Sequence, residues 1–161
     1  PFEGTLQLAD CVEDAVGGRR GKKTHPATLT FQAIRMFVND ELGELARGLA
    51  AAERILRAGG RLVVVTFHSL EDRLVKQFIR LRSGLVSGGS RYMPERAKGP
   101  EPTFELKQRK AIEPGDAEVN ANPRARSSRL RVAVRTDAEP WAEPFDTSMR
   151  LPSLKTLEAA L

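Results

Sequence analysis

Residues 59–82, GGRLVVVTFHSLEDRLVKQFIRLR, constrain the fold more than any other part of the chain. Three consecutive valines, Val63, Val64 and Val65, sit inside a short apolar run without polar alternation. Such a run predicts a strand buried on both faces, as in a parallel sheet covered by helices. The run stops at His68-Ser69. Ser69 is then the expected N-cap of a helix, with Asp72 three residues on as its capping-box partner. Leu70, Leu74, Val75, Phe78 and Ile79 follow at helical spacing. Ligands of open α/β sheets bind outside the carboxyl ends of the strands, so the His68-Ser69 turn is the first place to expect chemistry.

Before this unit, Phe31, Ile34, Val38, Leu42, Leu45, Leu49, Ala52 and Leu56 step by three or four residues and predict one long amphipathic helix. Pro26 suits its first turn and Gly59-Gly60 its end. A shorter helix is expected over residues 2–16, with Thr5 as N-cap and Gly17-Gly18 as terminator. Residues 83–102, rich in glycine, proline and serine, read as a mobile loop. Tyr92 lies there among Arg91, Arg96 and Lys98, a pattern that stacks a base or, more often, merely pins a loop. Residues 104–112 read as a strand, residues 116–120 as one helical turn, and Asn122-Pro123 as a turn. In residues 129–134, Leu130, Val132 and Val134 alternate with Arg129, Arg131 and Ala133, which predicts a strand with one buried face. These last two strands are expected side by side and antiparallel. Three strands make a thin sheet for Val63, Val64 and Val65 to be interior, so the pattern implies a larger sheet than the chain supplies.

The chain of 161 residues can bury one real core. No apolar run approaches the roughly 20 residues that span a bilayer, so no membrane partner is expected. A single cysteine, Cys11, excludes an internal disulfide and fits a reducing cytoplasm. The first residues are Pro1-Phe2 rather than Met, so the start is not expected to be that of a gene product. The net charge of +5 points to an acidic partner. Arg124, Arg126, Arg129, Arg131 and Arg135 fall within residues 122–135, which contain no acid, and Arg19, Arg20, Lys22 and Lys23 form a second cluster. The acids and prolines after residue 136 read as a tail, with a short helix over residues 154–161. This split of charge suits a nucleic-acid face on the folded part, although basic clusters are as often plain solvated surface.

His68-Ser69 is not a hydrolase pair. Adjacent side chains diverge after a strand, and no G-x-S-x-G elbow is present. His68 either faces a ligand at the strand end or hydrogen-bonds the loop. His25 and His68 stand apart, without carboxylates at metal spacing, so no metal site is expected. No G-x-G-x-x-G loop follows a strand. Asn122-Pro123 is similar to the Asn-Pro pair with which some amino-methyltransferases hold an exocyclic amine, but Arg124 stands where a second proline would complete that motif. If the turn is extended, Arg124 and Arg126 leave it on one side, as a phosphate clamp requires.

Three blocks taken together, HPATLTFQAIRMFVNDEL at residues 25–42, GGRLVVVTFHSLEDRLVK at 59–76 and NPRARSSRLRVA at 122–133, resemble the C-terminal half of the MraW-type family of bacterial small-subunit ribosomal RNA cytosine-N4 methyltransferases. The resemblance covers nearly all of residues 1–135. It implies an α/β fold, the C-terminal part of a class I Rossmann-like methyltransferase sheet. Residues 1–24 would end an inserted helical substrate-recognition domain, residues 25–135 would form the methyltransferase half, and residues 136–161 the tail. It implies S-adenosylmethionine as cofactor, with the cofactor loop and ribose-binding acid outside this chain, so that the chain alone is inactive. The implied partner is small-subunit ribosomal RNA or the small ribosomal subunit, and the implied reaction is methylation of the exocyclic N4 amine of a cytosine in the decoding centre. On that resemblance the RNA side would be lined by His25, Thr28, Arg35, Asn39, His68, Ser69, Asn122, Arg124 and Arg126. Arg124 and Arg126 would hold phosphate, His68 and Asn122 would sit near the base, and no catalytic base is assigned. Leu29 stands where the family usually has arginine, which removes one contact if that arginine touches RNA. The alternative is a non-catalytic RNA-binding module that reuses this half-fold.

Overall fold

The structure, a computed structural model, describes residues 2–19, 21, 24–85 and 100–145. It divides into two units, Pro1–Glu41 and Leu42–Leu161. Tyr92 and its neighbouring cations, Arg20, Lys22, Lys23 and the helix expected over residues 154–161 lie outside the described residues.

The first unit holds α1, Thr5–Ala15, and α2, Thr28–Val38. Gly4, not Thr5, is the N-cap of α1, and no side chain caps it. Instead the Glu3 amide reaches forward to Gln7 Oε1 at 2.8 Å. The long helix expected through residues 31–56 is broken. α2 stops at Val38, and α3, Glu41–Ile55, begins after a single left-handed residue, Asp40, at φ 47°. Asn and Asp tolerate that region better than other side chains with a Cβ, and Asn39-Asp40 supplies both. The apolar spacing continues across the break, which is why periodicity alone does not reveal it.

The second unit is an antiparallel sheet of three strands with helices on one face. The strands are β1, Arg61–Thr66, β2, Phe104–Glu105, and β3, Arg129–Arg135, in the order β1-β3-β2. β3 is antiparallel to both neighbours, and Leu62 faces Ala133 while Val63 faces Val132. The helix α4, Ser69–Arg82, follows β1 directly. Leu49 of α3, Val75, Phe78 and Ile79 of α4, and Leu62, Phe104 and Ala133 of the sheet form the core. Gly59 holds φ 78° in the turn before β1, and its amide donates to Arg135 O at 2.8 Å, tying the entry of β1 to the exit of β3. A Cβ on Gly60 would meet Arg57 O at 2.8 Å, so this close turn demands glycine.

The three valines are not buried on both faces. Among the described residues β1 pairs only with β3, and its residues alternate. Leu62 and Thr66 are buried, whereas Val63 is 53% and Val65 49% exposed. Its neighbour is antiparallel, not parallel as expected. In β3 the inward set is also reversed. Leu130, Val132 and Val134 lie in register with the exposed Val65, Val63 and Arg61 and are half-buried, while Ala133 and Arg135 are buried on the helix side. Arg135 is accommodated because its guanidinium donates to the carbonyls of Glu53, Thr103 and Thr136 at 2.8, 3.1 and 3.0 Å. The strand expected over residues 104–112 is reduced to β2 and one bridge, Ile112 to Leu130.

Residues 137–145 pack against the second unit. Phe145 stacks edge-on against Phe78 with ring centroids 5.2 Å apart. Trp141 lies over the Arg82 guanidinium at 4.3 Å and donates its indole N–H to Glu101 O at 2.8 Å. Acid and proline content made this stretch read as a tail, but two aromatics give it apolar area to bury.

Candidate functional site

The nine residues singled out on the RNA side divide between the units. In the first unit His25, Arg35 and Asn39 are engaged internally. His25 Nδ1 accepts the Ala27 amide at 3.1 Å, and its Nε2 meets Glu13 Oε2 at 2.8 Å. Arg35 grips Glu41 through two hydrogen bonds of 2.7 and 3.1 Å, and Asn39 Nδ2 donates to the same carboxylate at 3.4 Å. These contacts brace the entry to α2 and the Asp40 break. Thr28 is exposed at the start of α2, where its amide donates to His25 O at 3.0 Å. Leu29 is exposed as well.

The second unit brings the other five to one end of the sheet. The last pair of the β1–β3 ladder is Thr66 with Arg129. Beyond it, His68 and Ser69 leave β1, while Asn122, Arg124 and Arg126 arrive through a 3-10 turn, Pro123–Ser127, that feeds β3. Pro123 fits the first position of that turn, and Asn122 Oδ1 accepts the Arg124 amide at 3.1 Å. The segment is therefore helical rather than extended. At three residues per turn, Arg124 and Arg126 point to different sides and do not form the one-sided clamp that an extended turn would give. Both are exposed, and Ala125 between them is buried and anchors the turn.

His68, not Ser69, caps α4. Its Nδ1 accepts the Glu71 amide at 3.4 Å, and Glu71 Oε2 accepts the Phe67 and His68 amides at 3.0 and 3.4 Å. The capping box thus runs from His68 to Glu71, one residue earlier than the Ser69–Asp72 pair expected. Spacing carries the signal, with histidine in the place usually held by serine or threonine. The chemical consequence concerns the other ring nitrogen. With Nδ1 accepting, the neutral imidazole carries its proton on Nε2. That atom is buried and makes no hydrogen bond among the described residues, with Glu71 Oε1 3.2 Å away as its nearest charged neighbour in the cap. A buried N–H at the carboxyl end of a strand, without a hydrogen bond of its own, can serve an acceptor that approaches from outside the chain.

Asp72 has a different task, which the sequence does not announce. It binds the Arg131 guanidinium through two hydrogen bonds, Nε to Oδ1 at 2.7 Å and Nη2 to Oδ2 at 2.9 Å. The pair clamps the first turn of α4 to β3 and removes Arg131 from the free cations. Arg129 is likewise paired, with Glu113 at 2.8 Å. Arg124 and Arg126 have no ion-pair partner among the described residues. The described residues contain no cluster of His, Cys, Asp or Glu that could hold a metal ion, and no helix among them is long and apolar enough to cross a membrane.

Residues 1–136 match the family model described as "MraW methylase family". Curated relatives carrying the name "Ribosomal RNA small subunit methyltransferase H" are similar to the chain throughout. The protein from Hyphomonas neptunium is 66% identical over 158 residues, which is 98% of this chain and 46% of the relative. That from Caulobacter vibrioides is 64% identical over 141 residues, 88% of this chain and 45% of the relative. That from Maricaulis maris is 54% identical over 161 residues, 99% and 48% respectively. The chain spans about half the length of the curated relatives it matches.

Proposed function

The chain belongs to the MraW methylase family, and on that premise we propose that it supplies the RNA-side half of an S-adenosylmethionine-dependent methyltransferase acting on the exocyclic N4 amine of a cytosine in small-subunit ribosomal RNA. The sheet, in this reading, is the C-terminal part of a class I Rossmann-like sheet. The outer edge of β1 and the half-open face of Val63, Val65 and Phe67 are the surfaces on which the rest of that fold rests. The observation that carries the reading is the Nε2–H of His68, without a hydrogen bond at the end of β1, at the same end of the sheet as Arg124 and Arg126, which have no ion-pair partner among the described residues.

The chemistry follows from the base. The cytosine amine is a weak nucleophile because its lone pair is delocalised into the ring, so the enzyme has to hold the base out of its stack and fix its orientation. Cytosine offers acceptors beside its amine, and those acceptors suit donors. His68 Nε2–H is one, and the Nδ2 hydrogens of Asn122, whose Oδ1 accepts the Arg124 amide, are a second. Both residues therefore orient the base rather than remove the amine proton. Arg124 and Arg126 hold phosphates on two sides of the 3-10 turn. In this reading S-adenosylmethionine is held mainly by the other half of the protein. The acids in the first turn of α4 are committed, Glu71 to the cap and Asp72 to Arg131, and neither is free for a ribose.

In the intact protein, Arg124→Ala reduces affinity for a small-subunit ribosomal RNA transcript and makes the slope of log K against log salt shallower by about 0.7–0.9. A titration at several salt concentrations measures it, and an unchanged slope removes Arg124 from the phosphate contacts. Mass spectrometry of the digested RNA tests the reaction itself. A methyl group found on carbon rather than on N4 would overturn the assignment.

A further inference from the structure

We infer that a cationic bulge at the β2 edge of the sheet, residues 106–111, is a second RNA-backbone contact, separate from Arg124 and Arg126; the inference rests on the reading that the protein acts on RNA. Glu105 pairs with Val134, and the next contact between the same two segments is Ile112 with Leu130. Six residues, 106–111, thus face only three, 131–133, and the surplus is extruded from the ladder. Bulges of this kind sit at sheet edges beside functional sites and re-aim side chains. Leu106 stays packed against the core, while Lys107, Gln108, Arg109 and Lys110 are all exposed. No acid lies between Glu105 and Glu113.

Two features distinguish this bulge from a loose charged loop. It is braced from beneath, because Arg131, itself fixed by Asp72, donates Nη1 to Arg109 O at 3.4 Å. Its charges are also largely unspent. Lys107 meets Glu105 at 2.6 Å, but Arg109 and Lys110 have no ion-pair partner among the described residues. The Ile112–Leu130 bridge sets the relation to the site. The bulge leaves opposite Arg131 on one side of it and the 3-10 turn arrives at Ser127 on the other, about 13 Å apart along the strand direction. Arg109 and Lys110 with Arg124 and Arg126 therefore flank a path along which a phosphate backbone can run for a few nucleotides. Contacts of this type position RNA without reading its sequence.

The competing role for cations on an edge strand is to repel other strands and prevent aggregation. The double variant Arg109→Gln with Lys110→Gln separates the two. In the intact protein, assayed with a small-subunit ribosomal RNA transcript across a salt series, it makes the binding slope shallower by about 1.5 and raises the KM for RNA roughly tenfold, more than it lowers kcat. The charge-preserving pair Arg109→Lys with Lys110→Arg keeps the parent slope. An unchanged slope and KM overturn the inference, and so does a variant whose only change is greater self-association in light scattering. Failure of the parent protein itself to bind RNA or methylate it would instead count against the function proposed above.

Discussion

Arg82→Ala destabilises the second unit by about 3–5 kcal/mol, the loss typical of breaking a buried ion pair from one side. Arg82 and Glu53 are each 2% exposed and meet at 3.0 Å. The carboxylate also accepts the Thr103 hydroxyl at 2.6 Å, and Arg82 donates to Glu143 O at 3.0 Å. Removing the guanidinium leaves Glu53 charged in a site with one remaining side-chain donor. It also strips Trp141 of its cation and frees the carbonyl that Arg82 holds. Urea unfolding followed by circular dichroism measures the loss, and the fluorescence of Trp141, the only tryptophan, reports locally on residues 137–145. A loss below about 1 kcal/mol would mean that water reaches Glu53 and that the pair is not sealed. Replacing both partners, Glu53→Met with Arg82→Leu, costs far less than either single change, because no charge is then stranded.

Phe78→Ala is the second large effect, again about 3–5 kcal/mol. The ring is fully buried and meets Phe104 at 5.9 Å and Phe145 at 5.2 Å, both edge-on. It also lies under the Arg82 guanidinium at 5.6 Å. Truncation opens a cavity where α4, β2 and residues 137–145 converge, and no single neighbour can collapse into it. Phe78→Leu keeps most of the volume and costs roughly 1–1.5 kcal/mol. Thermal unfolding of both variants tests this. Equal losses would show that the effect comes from the aromatic contacts and not from the volume removed.

Much of the second unit is legible in the sequence. The turn from β1 into α4, the alternation in β3, the antiparallel pairing of β3 with the segment before it and the short helix α5, Asp116–Ala121, follow from periodicity and turn chemistry. What escapes has physical reasons. Three valines in a row look alike whether a strand is interior or at an edge, because the distinction lies in the neighbours. The apolar stripe runs through Asp40 because one left-handed residue changes the backbone without changing the spacing. The parity of β3 misleads because Arg135 is buried and Leu130 is not, an arrangement set by carbonyl groups that arrive from α3 and from the start of β2. That His68 and the Asn122–Pro123 turn lie at one end of the sheet can be read from their positions beside β1 and β3. That His68 is a cap, and so a donor through Nε2, depends on a hydrogen bond that no spacing rule written for serine would propose.

The family match ends at residue 136, yet the chain continues across Arg82 and Phe78 with Trp141 and Phe145. A protease that cut just after Thr136 would spare every strand and helix among the described residues and still let water in beside the buried Arg82–Glu53 pair. The waterproofing of this core extends past the end of the family model, so a truncation at that boundary would trim away part of the seal.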